Sequence, residues 1–270
     1  MKANHEFQNI GHADFLMHDE DSIVFCLGIR PKGQMKHNLG REVFLTFGKW
    51  VKEWPELNRE VPVSFDRRLL ANQILKFQDM YKFKQAYNHL KWYSYKNNLD
   101  HIVRDTKGIM VIGDEIKEGD SISNTMYLLR QEEYDLTFES CVNVADSNGK
   151  YGIIALNGTS NYIYLVINGN QVEVEKRCYD LVSNETCDLG SISKKVKMII
   201  NSNDKYYNFE LIDNNKTILS TKLRREILST EVSTSAFTGV MMGMYVEGKE
   251  SKGVFDSVKI TYNERNRNVS

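Results

Sequence analysis

Histidine and arginine are the residue types best placed to do chemistry in the first fifty positions of this chain. His5, His12, His18 and His37 are four of its 6 histidines, and imidazole serves as a metal ligand, a proton carrier or a substrate contact. The same four also read as surface or structural histidines, and spacing does not decide between the two. Next comes Asn38-Leu-Gly-Arg-Glu42. Gly40 lets the backbone turn or approach a neighbour closely, and Arg41 presents a rigid fork of donors able to hold hydroxyls or a carboxylate. A strand-edge arginine in a surface ion pair would show the same pattern. No glycine-rich phosphate loop, HExxH or GxSxG occurs. With 36 carboxylates in the chain, accidental pairs abound, and spacing alone selects none as an acid–base dyad.

The elements that must position these residues are strands. Alternation with a period of two dominates from about residue 134. Leu136, Phe138 and Ser140 alternate with Asp135, Thr137 and Glu139, and Asp146-Ser-Asn-Gly-Lys150 then predicts a hairpin turn into a strand over Tyr151 to Leu156. Asn161 to Asn168 is apolar on both faces, which predicts a central strand covered on each side. Val172 and Val174 alternate with Glu173 and Glu175. Lys195 to Asn201 and Lys205 to Ile212 predict a hairpin, and Val240 to Val246 and Val254 to Tyr262 two closing strands. Many short strands with turns between them and 3 prolines predict a two-sheet sandwich or jelly roll. Near the start, Ala13 to Met17, Ser22 to Ile29, Glu42 to Phe47 and a stretch near Val61-Pro-Val63 predict one small four-stranded sheet. Helical spacing is confined to Arg67 to Lys76, where the pattern changes.

Composition narrows the function classes. The 35 basic and 36 acidic residues give a net charge of -1, so nothing attracts nucleic acid or an anionic membrane. No run of about eighteen apolar residues could span a bilayer, and the first residues carry no apolar signal stretch; the expected location is cytoplasmic. Cys26, Cys141, Cys178 and Cys187 show no CxxC spacing. Cys178 and Cys187 could be bridged if their strands are adjacent, but a reducing compartment disfavours it.

Gly11-His-Ala-Asp-Phe-Leu16, Phe25-Cys-Leu-Gly-Ile-Arg-Pro31, His37-Asn-Leu-Gly-Arg-Glu-Val-Phe-Leu45 and Trp54-Pro55 follow one another at close spacing. That series resembles the end of the catalytic domain in glycoside hydrolase family 43, the β-xylosidases and α-L-arabinofuranosidases. Phe77-Gln-Asp79, Leu90-Lys-Trp92, Leu128-Leu-Arg130 and Phe237-Thr-Gly-Val-Met-Met-Gly-Met-Tyr245 resemble the sandwich that follows it. The resemblance implies an all-β chain: a single four-stranded blade of an incomplete five-bladed β-propeller (1–62), a connector (63–72) and a concanavalin A-like β-sandwich or jelly roll (73–270).

It also implies site residues. His12 matches the family histidine near the propeller's central channel, associated with a metal, usually calcium; none is expected for this chain alone. Arg41 matches the arginine that reaches the substrate's sugar, and Phe237 an aromatic pushed toward the active-site mouth, although a phenylalanine beside a glycine-rich strand also reads as core. The family inverts the anomeric centre with a carboxylate base and a carboxylic acid held apart to admit water. In the family those groups come from earlier blades. No catalytic carboxylate carries over here, and Asp14 and Glu42, although at family positions, do not replace them. Val43 stands where the family usually has Thr, and Glu53 where Gly is usual. The expected partners are a xylo- or arabino-oligosaccharide and a chain supplying the missing blades. The competing expectation is a binding module, with tyrosines 162, 164, 206 and 207 stacking on sugar rings instead of packing in a sheet.

Overall fold

The structure is a computed structural model that describes residues 8–18, 21–29, 36–57, 78–233 and 238–263. The connector at 63–72, the helical stretch at 67–76 and the strand expected near 61–63 lie outside the described residues.

The first sheet is an antiparallel meander, β1 (Gln8–His18), β2 (Asp21–Ile29), β3 (Glu42–Val51) and β4 (Trp54–Leu57), ordered β1-β2-β3-β4 as in a propeller blade. Its fourth strand begins at Trp54. Lys52 and Glu53 both take positive φ, 50° and 66°, and close a two-residue hairpin between Val51 and Trp54. Pro55 can stand in that strand because the strand is the sheet's edge. β1 carries register shifts on both sides of Gly11.

The second region is a sandwich. One layer runs β14 (Leu181–Asp188), β13 (Gln171–Cys178), β12 (Asn161–Asn168), β11 (Asn148–Leu156), the first half of β18 (Met241–Tyr262), β9 (Met126–Arg130) and β6 (Trp92–Tyr93). The other runs β17 (Lys216–Arg224), β16 (Tyr206–Asp213), β15 (Lys195–Ser202), β10 (Leu136–Asn143), the second half of β18 and β5 (Gln78–Lys82). A short pair, β7 (Ile102–Asp105) and β8 (Gly108–Ile112), adds to β18 at its middle.

The two closing strands expected at 240–246 and 254–262 are therefore one. Gly248 sits at φ +98°, and the ladder with β11 jumps from Glu247 to Lys252. That bulge lets a single strand bend from one layer into the other. A second correction follows. β10 and β11 do not form a hairpin across Asn148-Gly149, because β18 pairs with both and lies between them. Gly149 serves a close crossing instead: a Cβ there would lie 2.1 Å from Ser251 Oγ.

Between the layers, Ile153, Leu165 and Met244 face Phe138, Met198 and Phe209, all with no exposed surface. β12 is buried on both faces, as its sequence predicts: Ile163 and Leu165 join that core, while Tyr162, Tyr164 and Val166 join a second cluster with Tyr245 and Ile122. The hairpin of β15 and β16, with Tyr207, Phe209 and Leu211 inward, also agrees with its alternation. Cys178 and Cys187 are free. Their strands are adjacent, but the register sets Cys178 opposite Leu181 and Cys187 opposite Val172.

Candidate functional site

Arg41 ends a loop that the sandwich grips by its backbone. From β9, Arg130 Nη2 donates to the carbonyls of Leu39 and Arg41, each at 2.7 Å. The amide of Val240 donates to the Asn38 carbonyl at 2.7 Å, and the amide of Thr230 to the His37 carbonyl at 2.9 Å. Asn38 and Leu39 are buried, and Asn38 Nδ2 donates to the Arg225 carbonyl at 3.0 Å. Gly40 takes φ +71°, the left-handed turn for which a glycine was expected. Four backbone carbonyls and a fully buried leucine thus fix where Arg41 emerges. A charged donor bridging two carbonyls is among the stronger ties available to a loop.

Gly239 completes the grip. It takes φ +72°, and a Cβ there would lie 2.3 Å from the carbonyl carbon of Leu39. The segment just after Phe237 therefore lies against the segment just before Arg41. Phe237 itself is outside the described residues, but its chain neighbour two positions on touches the residue two positions before Arg41.

His37 is a fastener in this arrangement. Its backbone N–H donates to Glu231 Oε2 at 3.2 Å, its Nδ1 pairs with Glu231 Oε1, and its Nε2 meets the Thr230 hydroxyl. In a neutral ring with Nδ1–H as donor to the carboxylate, Nε2 accepts from Thr230. The reading of this histidine as structural is the one that the geometry supports. His12 lies elsewhere in the first sheet, exposed, with φ +50°, at the bulge between the Gly11 and Asp14 pairings of β1. Bulges of this kind re-aim a side chain. Among the described residues no group of three or more His, Cys, Asp or Glu gathers to hold a metal. Calcium takes six to eight oxygen ligands, so the described residues do not by themselves fit the ion that the resemblance implies.

The tyrosines expected to stack on sugars are mostly inside. Tyr162, Tyr164 and Tyr207 are buried. Tyr164 stacks on Tyr162 and Tyr245, at centroid separations of 5.9 and 5.3 Å. Their hydroxyls are engaged: Tyr162 with Glu175 and Arg177, Tyr164 with Lys150 and Glu175, and Tyr207 with Gln131 at 2.7 Å. Burial pushes the Tyr164 phenol up to about 12. Burial also works against the Lys150 charge, but hydrogen bonds to Glu247 and Tyr164 outweigh it and raise the lysine's pKa. Tyr206 is partly exposed, beneath Lys222 Nζ at 4.6 Å from its ring centroid. Tyr162, Tyr164 and Tyr207 are thus sheet packing.

Arg130, Thr230, Glu231 and Gly239 are the site residues that the sequence did not single out by role. The available signal was Arg130 closing the apolar strand Met126–Arg130, where a charge near a core needs partners.

Residues 81–261 match the family described as "Beta xylosidase C-terminal Concanavalin A-like domain". Among curated proteins the chain is similar to the non-reducing end alpha-L-arabinofuranosidase BoGH43B of Bacteroides ovatus, 28% identical over 260 residues, or 91% of this chain and 49% of that protein. The chain spans about half the length of this curated relative. Among solved structures, the Bacteroides ovatus protein "Xyloglucan PUL GH43B" matches at TM-score 0.76 and 24% identity, over 95% of this chain and 54% of that one. A xylan beta-1,4-xylosidase from Bacillus halodurans matches at TM-score 0.74 and 12% identity, over the same 95% and 54%. At such identities the structural likeness is one of fold.

Proposed function

Because the chain belongs to the beta-xylosidase C-terminal concanavalin A-like domain family, we propose that it is the C-terminal portion of a family 43 glycosidase acting on pentose-containing oligosaccharides. The observation that carries this reading is the grip on the loop 36–41: the sandwich spends buried groups on fixing the backbone from which Arg41 projects. Arg41 is fit to hold sugar hydroxyls through several donors at once.

The chemistry itself needs two carboxyl groups separated by roughly 6.5–9.5 Å, one protonating the leaving oxygen and one activating a water on the opposite face of the sugar. In this reading both come from polypeptide outside this sequence, and the chain is inactive alone. His12 would meet its metal only within the completed ring, with the other ligands supplied there. Arg41 and Phe237 bind and orient the sugar; neither moves a proton.

The test is turnover of aryl α-L-arabinofuranoside and aryl β-xyloside by the purified chain, alone and with a polypeptide supplying four preceding blades. The expected result is no hydrolysis alone and hydrolysis in the combination, abolished by Arg41→Ala. Turnover by the chain alone would overturn the proposal.

A further inference from the structure

Among the described residues, the sheets end in β1, β4, β5, β6, β7, β14 and β17. An open edge is a template for another strand, and all but one of these carry a feature that hinders pairing. β1 has register shifts beside Gly11, and β4 contains Pro55. β5, β6 and β7 hold five, two and four residues, and β17 carries Lys216, Lys222 and Arg224. β14 is the exception. Its 8 residues pair with β13 without a register shift and include no Pro, Gly, Lys or Arg. Both of its sides are exposed along the whole strand, Leu181 to 71%. Glu185 and Cys187 lie opposite the core residues Val174 and Val172, so β14 runs one strand beyond what the other layer covers. We propose that β14 is a pairing edge whose partner is the β14 of a second copy of this chain, antiparallel across a twofold axis through Asn184.

The strand's own sequence selects that partner and that register. A twofold axis normal to the sheet keeps each face continuous, so every residue meets one from the same face. Centred on Asn184, the register sets Leu181 against Cys187, Val182 against Thr186 and Ser183 against Glu185, with Asn184 against itself. Apolar meets apolar, β-branched meets β-branched, and no two like charges oppose within the strand. Glu185 is already neutralised in its own chain by Lys176, whose Nζ lies 2.7 Å from Oε1. Centring on Glu185 instead would set two carboxylates face to face, and centring on Ser183 would pair fewer residues. At each end Asp188 falls level with the turn residue Asp180 of the other copy. That like-charge contact, and the small area of one strand laid against one strand, make the association a weak one.

Sedimentation equilibrium of the full chain tests this. The expected result is a monomer–dimer equilibrium with a Kd on the order of 10–100 μM, weakened about fivefold or more by Asn184→Lys. That variant sets two lysines against each other on the axis. Within one copy the new side chain faces Glu175 across the β13–β14 ladder, so the hairpin keeps a favourable pair and the melting temperature should not fall. Thr186→Lys, which faces Glu173 in its own chain, is a second variant with the same expected weakening. Ser220→Lys, on the edge strand β17, should leave the Kd unchanged. A chain that stays monomeric up to roughly ten times that Kd would overturn the proposal. So would a dimer that both β14 variants leave intact; its loss in Trp54→Lys would then place the contact on the first sheet, where Trp54 is exposed.

Discussion

The four-stranded sheet and the sandwich solve the problem of a hydrophobic face differently. In the sandwich, two layers bury each other, and the layer containing β12 is covered on its outer face as well. In the first sheet, Ile29 and Phe44 are buried, with Ile10 and Ala13 half-buried beside Phe44, while Leu16, Val43, Trp50 and Trp54 stand 48 to 75% exposed. A lone meander has no partner layer and little independent stability. Among the described residues, the loop 36–41 ties it to the rest through backbone hydrogen bonds and a buried leucine. The two regions divide the labour: the sandwich is the stable body, and the described part of the sheet is joined to it along the seam at 36–41.

The largest effect should come from the core. Phe209→Ala empties a fully buried site between the layers and should cost about 3–5 kcal/mol, lowering the main calorimetric transition. Phe44→Ala, in the small cluster, should leave that transition in place and affect only hydrogen exchange in β1 to β3. If both variants shift one and the same transition equally, the two regions form a single cooperative unit and the comparison fails.

Next is the seam. Gly239→Ala forces a Cβ toward the Leu39 backbone and takes an L-residue into left-handed φ, costing about 1–2 kcal/mol for the conformation alone. With the Val240–Asn38 bond also lost, the total should reach roughly 2–3 kcal/mol. Amide exchange should accelerate in β2 and β3 while β15 and β16 stay protected. Arg130→Met removes a charged donor from two carbonyls and should cost about 1.5–3 kcal/mol. Its readout is faster tryptic cleavage within β1 to β3, partly restored by Arg130→Lys. Unchanged cleavage in Arg130→Met would show that the seam does not depend on this arginine.

Much of this architecture is legible in the sequence because alternation reports burial directly. β12 is apolar on both faces and is covered on both; β16 places Tyr207, Phe209 and Leu211 on one face and buries that face. β14 escaped notice for the opposite reason: all its residues are exposed, so no burial pattern marks it. The alternation at 240–246 and 254–262 predicts two strands because it is interrupted between them, whereas the strand continues through the interruption by way of a bulge. The site was legible only in part. Gly40 and Arg41 announce a sharp turn and a donor fork, but nothing local in Arg130 or Glu231 tells that each will meet a loop 89 and 194 residues away. Long-range hydrogen bonds to backbone carbonyls leave no periodic trace.

The smallest expected effect lies at the far end of the first sheet and separates its local stability from its attachment. Lys52 and Glu53 make a two-residue hairpin with positive φ at both positions, a conformation favoured by Asn-Gly or Asp-Gly pairs. A glutamate at φ +66° carries a penalty of about 1–2 kcal/mol. Glycine would relieve it but would add freedom to the unfolded chain worth about 0.4–1 kcal/mol. Glu53→Gly should therefore stabilise the β3–β4 hairpin by about 0.5–1 kcal/mol. If the sheet is a separate unit, the gain appears as slower amide exchange in β3 and β4 with no change in the sandwich's melting. If the gain instead raises the main transition, the sheet melts with the sandwich, and the seam at 36–41 transmits cooperativity as well as position.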